Sequence, residues 1–242
     1  MTISKYRDLT IFDDIEKKLV IACDSAGGIG PKPLDQIQVS GYIVGRFLTR
    51  VALMELISVG AKPFTIIDTL SVEMEPTGRE IISGIKVEAS QLEIDVSAIL
   101  NGSTEENIVV QQTGVGVTAL GRAKKLYMAS KKGDSVLCIG IPKVGDEVQL
   151  DDHQICNLVT INKVRKIEGV HEIVPVGSKG ISFELNELLK RNQCSLESAT
   201  TSLDLKKSGG PVTCALVTVD ENQITLIKEI CDQPVTYLGK LI

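Results

Sequence analysis

LVIACDSAGGIGPK, residues 19–32, decides how this chain reads. Leu19–Cys23 is a short apolar run rich in strand-favouring residues, which predicts a buried strand. Asp24 closes that run and opens a turn containing Gly27, Gly28, Gly30 and Lys32. A carboxylate at the carboxyl end of a buried strand, followed by glycines, stands where ligands bind in α/β folds. The glycines let backbone N–H groups come close to an anion, and Lys32 adds one positive charge. The spacing is not that of the G-x-x-x-x-G-K-[ST] phosphate loop. A glycine-rich turn alone is also compatible with a plain turn.

Outward from this stretch, Ser40 is placed to cap a helix in which Val44, Phe47, Leu48, Val51 and Met54 recur at helical spacing. Gly60 and Pro63 stop it. Glu55 lies in its last turns within VALMELISV (51–59), where a buried carboxylate is costly unless paired, protonated or metal-bound. The competing reading pairs Glu55 with Arg46, Arg50 or Lys62. The next apolar stretch, FTIIDTLSV (64–72), predicts a strand with Asp68 in its middle, a position aspartate disfavours. If the three acids converge, they repel by roughly 4 kcal/mol per pair at 4 Å and an effective dielectric of about 20. A cation resolves that conflict. Ligands that are all oxygen select Mg²⁺ or Mn²⁺, and magnesium commonly arrives with a nucleotide's phosphates.

Further along, a helix is expected over 77–92, with Ile81, Ile82, Ile85 and Ala89 inward, then short strands near 97–100 and 108–120. KKGD (131–134) reads as a turn between larger units. Beyond it the pattern predicts strands at 135–141, 172–176, 211–219 and 234–239, and helices at 151–165, 178–191 and 221–230. Interleaved strands and helices define an α+β fold (α/β interleaved) of two subdomains, 1–132 and 133–242.

Composition narrows the function. The chain has 242 residues, 43% of them hydrophobic, enough for a sizeable core. A net charge of −5 gives no general attraction to nucleic acid or to an anionic membrane. No apolar run approaches the roughly 20 residues of a membrane span, and the polar N-terminus has no signal-like apolar segment, so a cytoplasmic protein is expected. Six cysteines stand singly without a CxxC, and with two histidines they argue against a structural zinc site; they read as buried small hydrophobes. His153 and His171 lie far apart, and G-x-S-x-G is absent, which leaves a hydrolase triad without support.

The order of these elements resembles the ATP-binding half of the aminoimidazole ribonucleotide (AIR) synthase-like superfamily. Asp24 with GGIGPK, a helix ending in ELISVGAKP and the strand FTIIDTL carry the resemblance. It continues through REIISGIKVEASQ, through NGSTEEN (101–107), and more weakly through SKGISFELNELLKRNQCSLE (178–197) and QPVTYLGKLI. The resemblance implies an N-terminal domain that dimerises and binds ATP and Mg²⁺, with Asp24, Glu55 and Asp68 on the metal. It also implies that Gly27, Gly28, Gly30 and Lys32 hold the phosphates, and that a trimmed C-terminal α/β domain receives a small-molecule acceptor. Two departures matter: Glu55 stands for the usual aspartate, and Ser103 stands where the family's Gly-Gly-Asp/Glu-Thr motif has its acid, with Glu105 or Glu106 as substitutes. The compact length and DSAGGIGPKPLD are most similar to the α-ribazole kinase branch, which implies phosphoryl transfer to a nucleoside of cobamide lower-ligand (cobalamin) metabolism. The alternatives are thiamine monophosphate kinase, ATP-driven amide activation in purine synthesis, and an ATP-binding regulator without catalysis. No catalytic base is assigned; Asn101, Thr104 and Ser178–Lys179 stand on segments that would line the acceptor side.

Overall fold

A computed structural model of the chain describes residues 2–13 and 17–242. They form two compact units, residues 1–56 with 61–125, and residues 57–60 with 126–242. Among the described residues, no helix is long and apolar enough to cross a membrane.

The first unit opens with a hairpin that sequence periodicity did not announce, β1 (Thr2–Tyr6) and β2 (Leu9–Asp13). Then come β3 (Lys18–Gly27), the two-residue strands β4 (Ile29–Gly30) and β5 (Ile37–Gln38), and helix α1 (Gly41–Ser58). β6 (Lys62–Leu70), α2 (Arg79–Ser90), the single turn α3 (Val96–Ile99), β7 (Leu100–Thr104) and β8 (Gly114–Ala123) complete it. The expected strand at 97–100 is therefore mostly helical, and the sheet resumes at Leu100. Six strands make one sheet in the order β1-β2-β3-β8-β6-β7, with β6 and β7 parallel and the other pairs antiparallel.

Side chains alternate across this sheet. Val20, Ala22, Val115, Val117, Ala119, Ile66 and Leu70 are buried on one face. Helix α1 lies on that face, as a Cβ added at Gly121 of β8 would come within 3.3 Å of Leu56 Cδ1. The opposite face presents Ile21, Cys23, Thr118, Leu120 and Ile67, which stay partly or largely exposed.

The two long helices meet at glycines. A Cβ at Gly45 would stand 2.1 Å from the Ile81 carbonyl oxygen, and one at Gly84 would stand 2.1 Å from that of Tyr42. Beside this crossing, Arg46 Nε and Arg50 Nε donate to the two carboxylate oxygens of Glu88 at 2.6 and 2.7 Å. Glu88 is fully buried, and Ile82, expected inward, is only half-buried. The arginines expected near Glu55 thus serve a different acid.

In the second unit, β9 (Ser135–Gly140), α4 (Leu158–Arg165), β10 (Val170–Pro175), α5 (Gly180–Asn192), β11 (Leu196–Ser198), β12 (Cys214–Val219), α6 (Ile224–Ile230) and β13 (Val235–Leu241) follow in order. Five strands form an antiparallel sheet, β10-β12-β9-β13-β11. Every residue of β9 and β12 is buried, so both faces are covered. Ile181, Leu185 and Leu188 of α5 pack with Val136, Cys138, Cys214 and Leu216. The helix expected from 151 starts only at Leu158, where Asn157 Oδ1 accepts from Thr160 N at 2.9 Å and fixes the first turn. His171 Nδ1 meets Asp134 Oδ2 at 2.9 Å, tying the KKGD turn to β10.

Candidate nucleotide and metal site

Asp24 does not end its strand. β3 runs on to Gly27, and Asp24 pairs in register with Val117 of β8. Asp68 of β6 pairs with the same Val117 from the other side. Directly paired residues point to one face, so both carboxylates leave the helix-covered face, two strands or about 10 Å apart between backbones. Burial raises both acids from 3.8 to about 6; for Asp24, nearby Asp8 adds to the rise and the Ser25 N–H bond opposes it. Asp68 is 3% exposed and has no hydrogen-bond or ion-pair partner among the described residues. Two desolvated carboxylates on one face, either side of Val117, are oxygen donors of the kind a hard divalent cation takes.

Backbone approach is close here as well. Gly102 of β7 is the register partner of Asp68, and a Cβ there would lie 2.1 Å from Asp68 Oδ1. The Asn101-Gly102-Ser103 segment is therefore the rim of the Asp68 carboxylate. Ser103 sits one step further, opposite Thr69. The glutamates expected to replace the missing acid have other work: Glu105 Oε1 accepts from Asn107 N at 2.7 Å, and Glu106 Oε1 accepts from Met74 N at 2.8 Å. Thr104 donates to Glu106 as well.

Glu55 is buried, as its apolar surroundings required, but its counter-charge is Arg7, whose Nη2 is 3.3 Å from Glu55 Oε1. Arg7 belongs to the β1–β2 turn, beside the Asp8 that bears on Asp24. The structure thus places Asp24 and Asp68 on one face, either side of Val117, and gives Glu55 a cation of the protein's own.

The glycine loop is held by a residue that sequence reading passed over. Asp35, 7% exposed, accepts from Lys32 N at 2.8 Å, Thr113 N at 2.7 Å and Thr113 Oγ1 at 2.6 Å. Gly30 has φ +152° and lies against this knot; a Cβ would be 2.3 Å from Thr113 Oγ1 and 2.9 Å from Asp35 Oδ2. Gly28 N donates to Thr113 O at 2.9 Å, and Gly27 has open space around it. β4 and β5 pair parallel to close the loop. The signal that was available is a lone aspartate four residues after Pro31, the one acid between Asp24 and Glu55. Asp35→Ala is expected to leave Thr113 N and Lys32 N without their acceptor, costing about 2 kcal/mol by urea unfolding. Asp35→Asn, which keeps an acceptor, should recover part of that loss.

Lys32 is 15% exposed at its side chain, and its ammonium lies 2.5 Å from Glu73 Oε2. Thr77 Oγ1 donates to the other Glu73 oxygen at 2.6 Å. Burial alone would raise the Glu73 carboxyl; the Lys32 and Thr77 bonds overcome it and hold the group at about 2. Sequence reading placed Lys32 on phosphate and did not anticipate Glu73.

In sequence, residues 9–123 match the family described as AIR synthase related protein, N-terminal domain. Both units together have the AIR synthase-like fold. The thiamine-monophosphate kinase from Stenotrophomonas maltophilia K279a superposes with a TM-score of 0.70 at 18% identity, over 99% of this chain and 88% of that one. AaThiL complexed with AMPPCP and TMP superposes with a TM-score of 0.67 at 13% identity, over 97% and 84%. T. maritima PurL complexed with ADP matches 99% of this chain and 41% of its own, with a TM-score of 0.65 at 14% identity. No curated protein matches the chain in sequence.

Proposed function

We propose that the chain is an ATP- and Mg²⁺-dependent phosphotransferase for a small-molecule acceptor, with α-ribazole as the first acceptor to try. The observation that carries this reading is the pair Asp24 and Asp68, both flanking Val117, both desolvated, next to the glycine loop. Structural likeness to a kinase solved with AMPPCP and to a protein solved with ADP supports a nucleotide as the ligand.

In this reading Asp24 and Asp68 would hold Mg²⁺, which would supply charge neutralisation for phosphoryl transfer. Glu55 joins them only by leaving Arg7; otherwise it positions the β1–β2 turn beside Asp24. Gly27, with open space around it, would let the backbone meet phosphate oxygens, while Gly28 and Gly30, held against Thr113, would shape the loop, and Lys32 would exchange Glu73 for a phosphate. Phosphoryl transfer depends on positioning and charge neutralisation, which this rigid, Asp35-pinned loop supplies. Residues 1–132 then form the nucleotide domain and 133–242 the acceptor domain. The nucleotide domain is the part we assign to a homodimer, in a cytoplasmic protein.

A second reading, an ATP-binding regulator without turnover, is favoured by one observation. Ser103 is not an acid, and Glu105 and Glu106 are committed to capping backbone N–H groups. Transfer of labelled phosphate from ATP to α-ribazole, other nucleosides and thiamine monophosphate separates the readings. The kinase reading expects Mg²⁺-dependent product with one acceptor, lowered at least a hundredfold in Asp24→Asn. Mg-ATP binding without product from any acceptor selects the regulator. Equal Mg-ATP binding by Asp24→Asn, Glu55→Gln, Asp68→Asn and the parent removes the metal assignment altogether.

A further inference from the structure

The first unit has a second charged site, on the other face of its sheet. A cavity of about 330 Å³ is lined by Lys17, Lys62, Pro63, Phe64, Arg122 and Lys124. It lies at the end of the sheet where β3 and β6 begin and β8 ends, because Arg122 pairs in register with both Leu19 and Lys62. Asp24 is five residues further along β3, about 16 Å at strand rise, and on the opposite face. The two sites are therefore separate.

Four cationic side chains converge here in a chain whose net charge is −5. Among the described residues none of the four has a carboxylate partner, whereas Lys18, next in sequence to Lys17, is paired with Asp13. Arg122 is also oriented in advance. Its guanidinium stacks on the Phe64 ring at 4.1 Å, which holds the plane and leaves its edge N–H donors free. A fixed guanidinium fork flanked by mobile ammonium groups is the arrangement that takes phosphate oxygens in pairs. The volume is at the lower end of small-molecule sites, and the acidic surface elsewhere disfavours long polyanions.

We propose that this cavity binds a small anion carrying two or more linked phosphate groups, at a site distinct from the candidate nucleotide site. Titration of the intact chain with inorganic tripolyphosphate, in EDTA and at fixed ionic strength, tests it by calorimetry. Saturable binding in the micromolar range is expected. The double variant Lys62→Ala/Arg122→Ala should weaken it at least tenfold, while Lys32→Ala leaves it unchanged. No saturable binding, or equal affinity in the double variant, overturns the proposal. Loss in Lys32→Ala alone also overturns it, since the anion would then sit on the glycine loop. If the double variant does not fold, amide shifts in the parent decide: movement at Phe64, Arg122 and Lys124 supports the site, and movement confined to residues 27–32 overturns it. Tighter binding of a single-stranded oligonucleotide at these same residues would overturn the small-anion assignment.

Discussion

Asp68→Asn is expected to raise the melting temperature of the metal-free protein at pH 8 and to remove its response to Mg-ATP. The Asp68 carboxyl ionises at about 6 in the folded chain against an ordinary value of 3.8, because it is desolvated. Between those values the folded form holds the proton more tightly than the unfolded form. Stability from this group is complete below pH 4, falls as pH rises through 6, and stays low above it. A shift of about two units corresponds to roughly 3 kcal/mol at most, and about 1–3 kcal/mol is a fair expectation after relaxation. Asn keeps the shape and removes the charge, so the variant should melt several degrees higher at pH 8 and equally at pH 4. The parent, given Mg-ATP, should gain stability by ligand linkage, and the variant should not. A lower melting point for the metal-free variant at pH 8 would sink the desolvation account. An unchanged Mg-ATP response would sink the metal role.

The largest loss of stability is expected from Gly84→Ala. The new Cβ would lie 2.1 Å from Tyr42 O and 2.9 Å from Arg46 N, both backbone atoms that no rotamer change can move. α1 and α2 must separate, and the Arg46–Glu88–Arg50 group sits on the same crossing. Overpacking costs about 1–3 kcal/mol, and opening a buried ion pair costs about 3–5 kcal/mol when one partner is left alone. We expect at least 3 kcal/mol by urea unfolding, with Gly45→Ala close behind. Gly27→Ala, which meets nothing within 4 Å, should stay within about 0.5 kcal/mol of the parent. A Gly84→Ala chain as stable as that control would show that the helices do not cross this closely.

What could be read from sequence was what depends on local periodicity. The apolar spacing of 44–54 gave α1, and Gly60 ended it; FTIIDTL gave β6, with Asp68 conspicuous inside it. The AIR synthase-like fold followed from the order of these motifs. What could not be read were partners chosen across long separations. Glu55 is paired with Arg7, 48 residues away, and Asp35 with Thr113, 78 residues away. Nothing local distinguishes Arg7 from Arg46 or Arg50 as a partner; only the pairing of β2 with β3 brings the Arg7 turn over. The hairpin β1–β2 was missed because four of the five residues of TISKY are exposed, so no alternation marks it. For α4 the capping Asn157 was visible in the sequence and marked the true start better than the charged DDHQ before it.

If Lys32 takes a phosphate as proposed, the Lys32–Glu73 contact would act as an ion exchanger set in the glycine loop. Any anion that takes the Lys32 ammonium releases a carboxylate whose ordinary value is 4.5, and at neutral pH that group stays ionised. Exchanging one anion for another around a single lysine leaves surplus negative charge beside the ligand. A bare polyphosphate meets that penalty in full. A polyphosphate that carries its own divalent cation would not, so under the proposed function the loop would favour the metal-loaded form of its ligand.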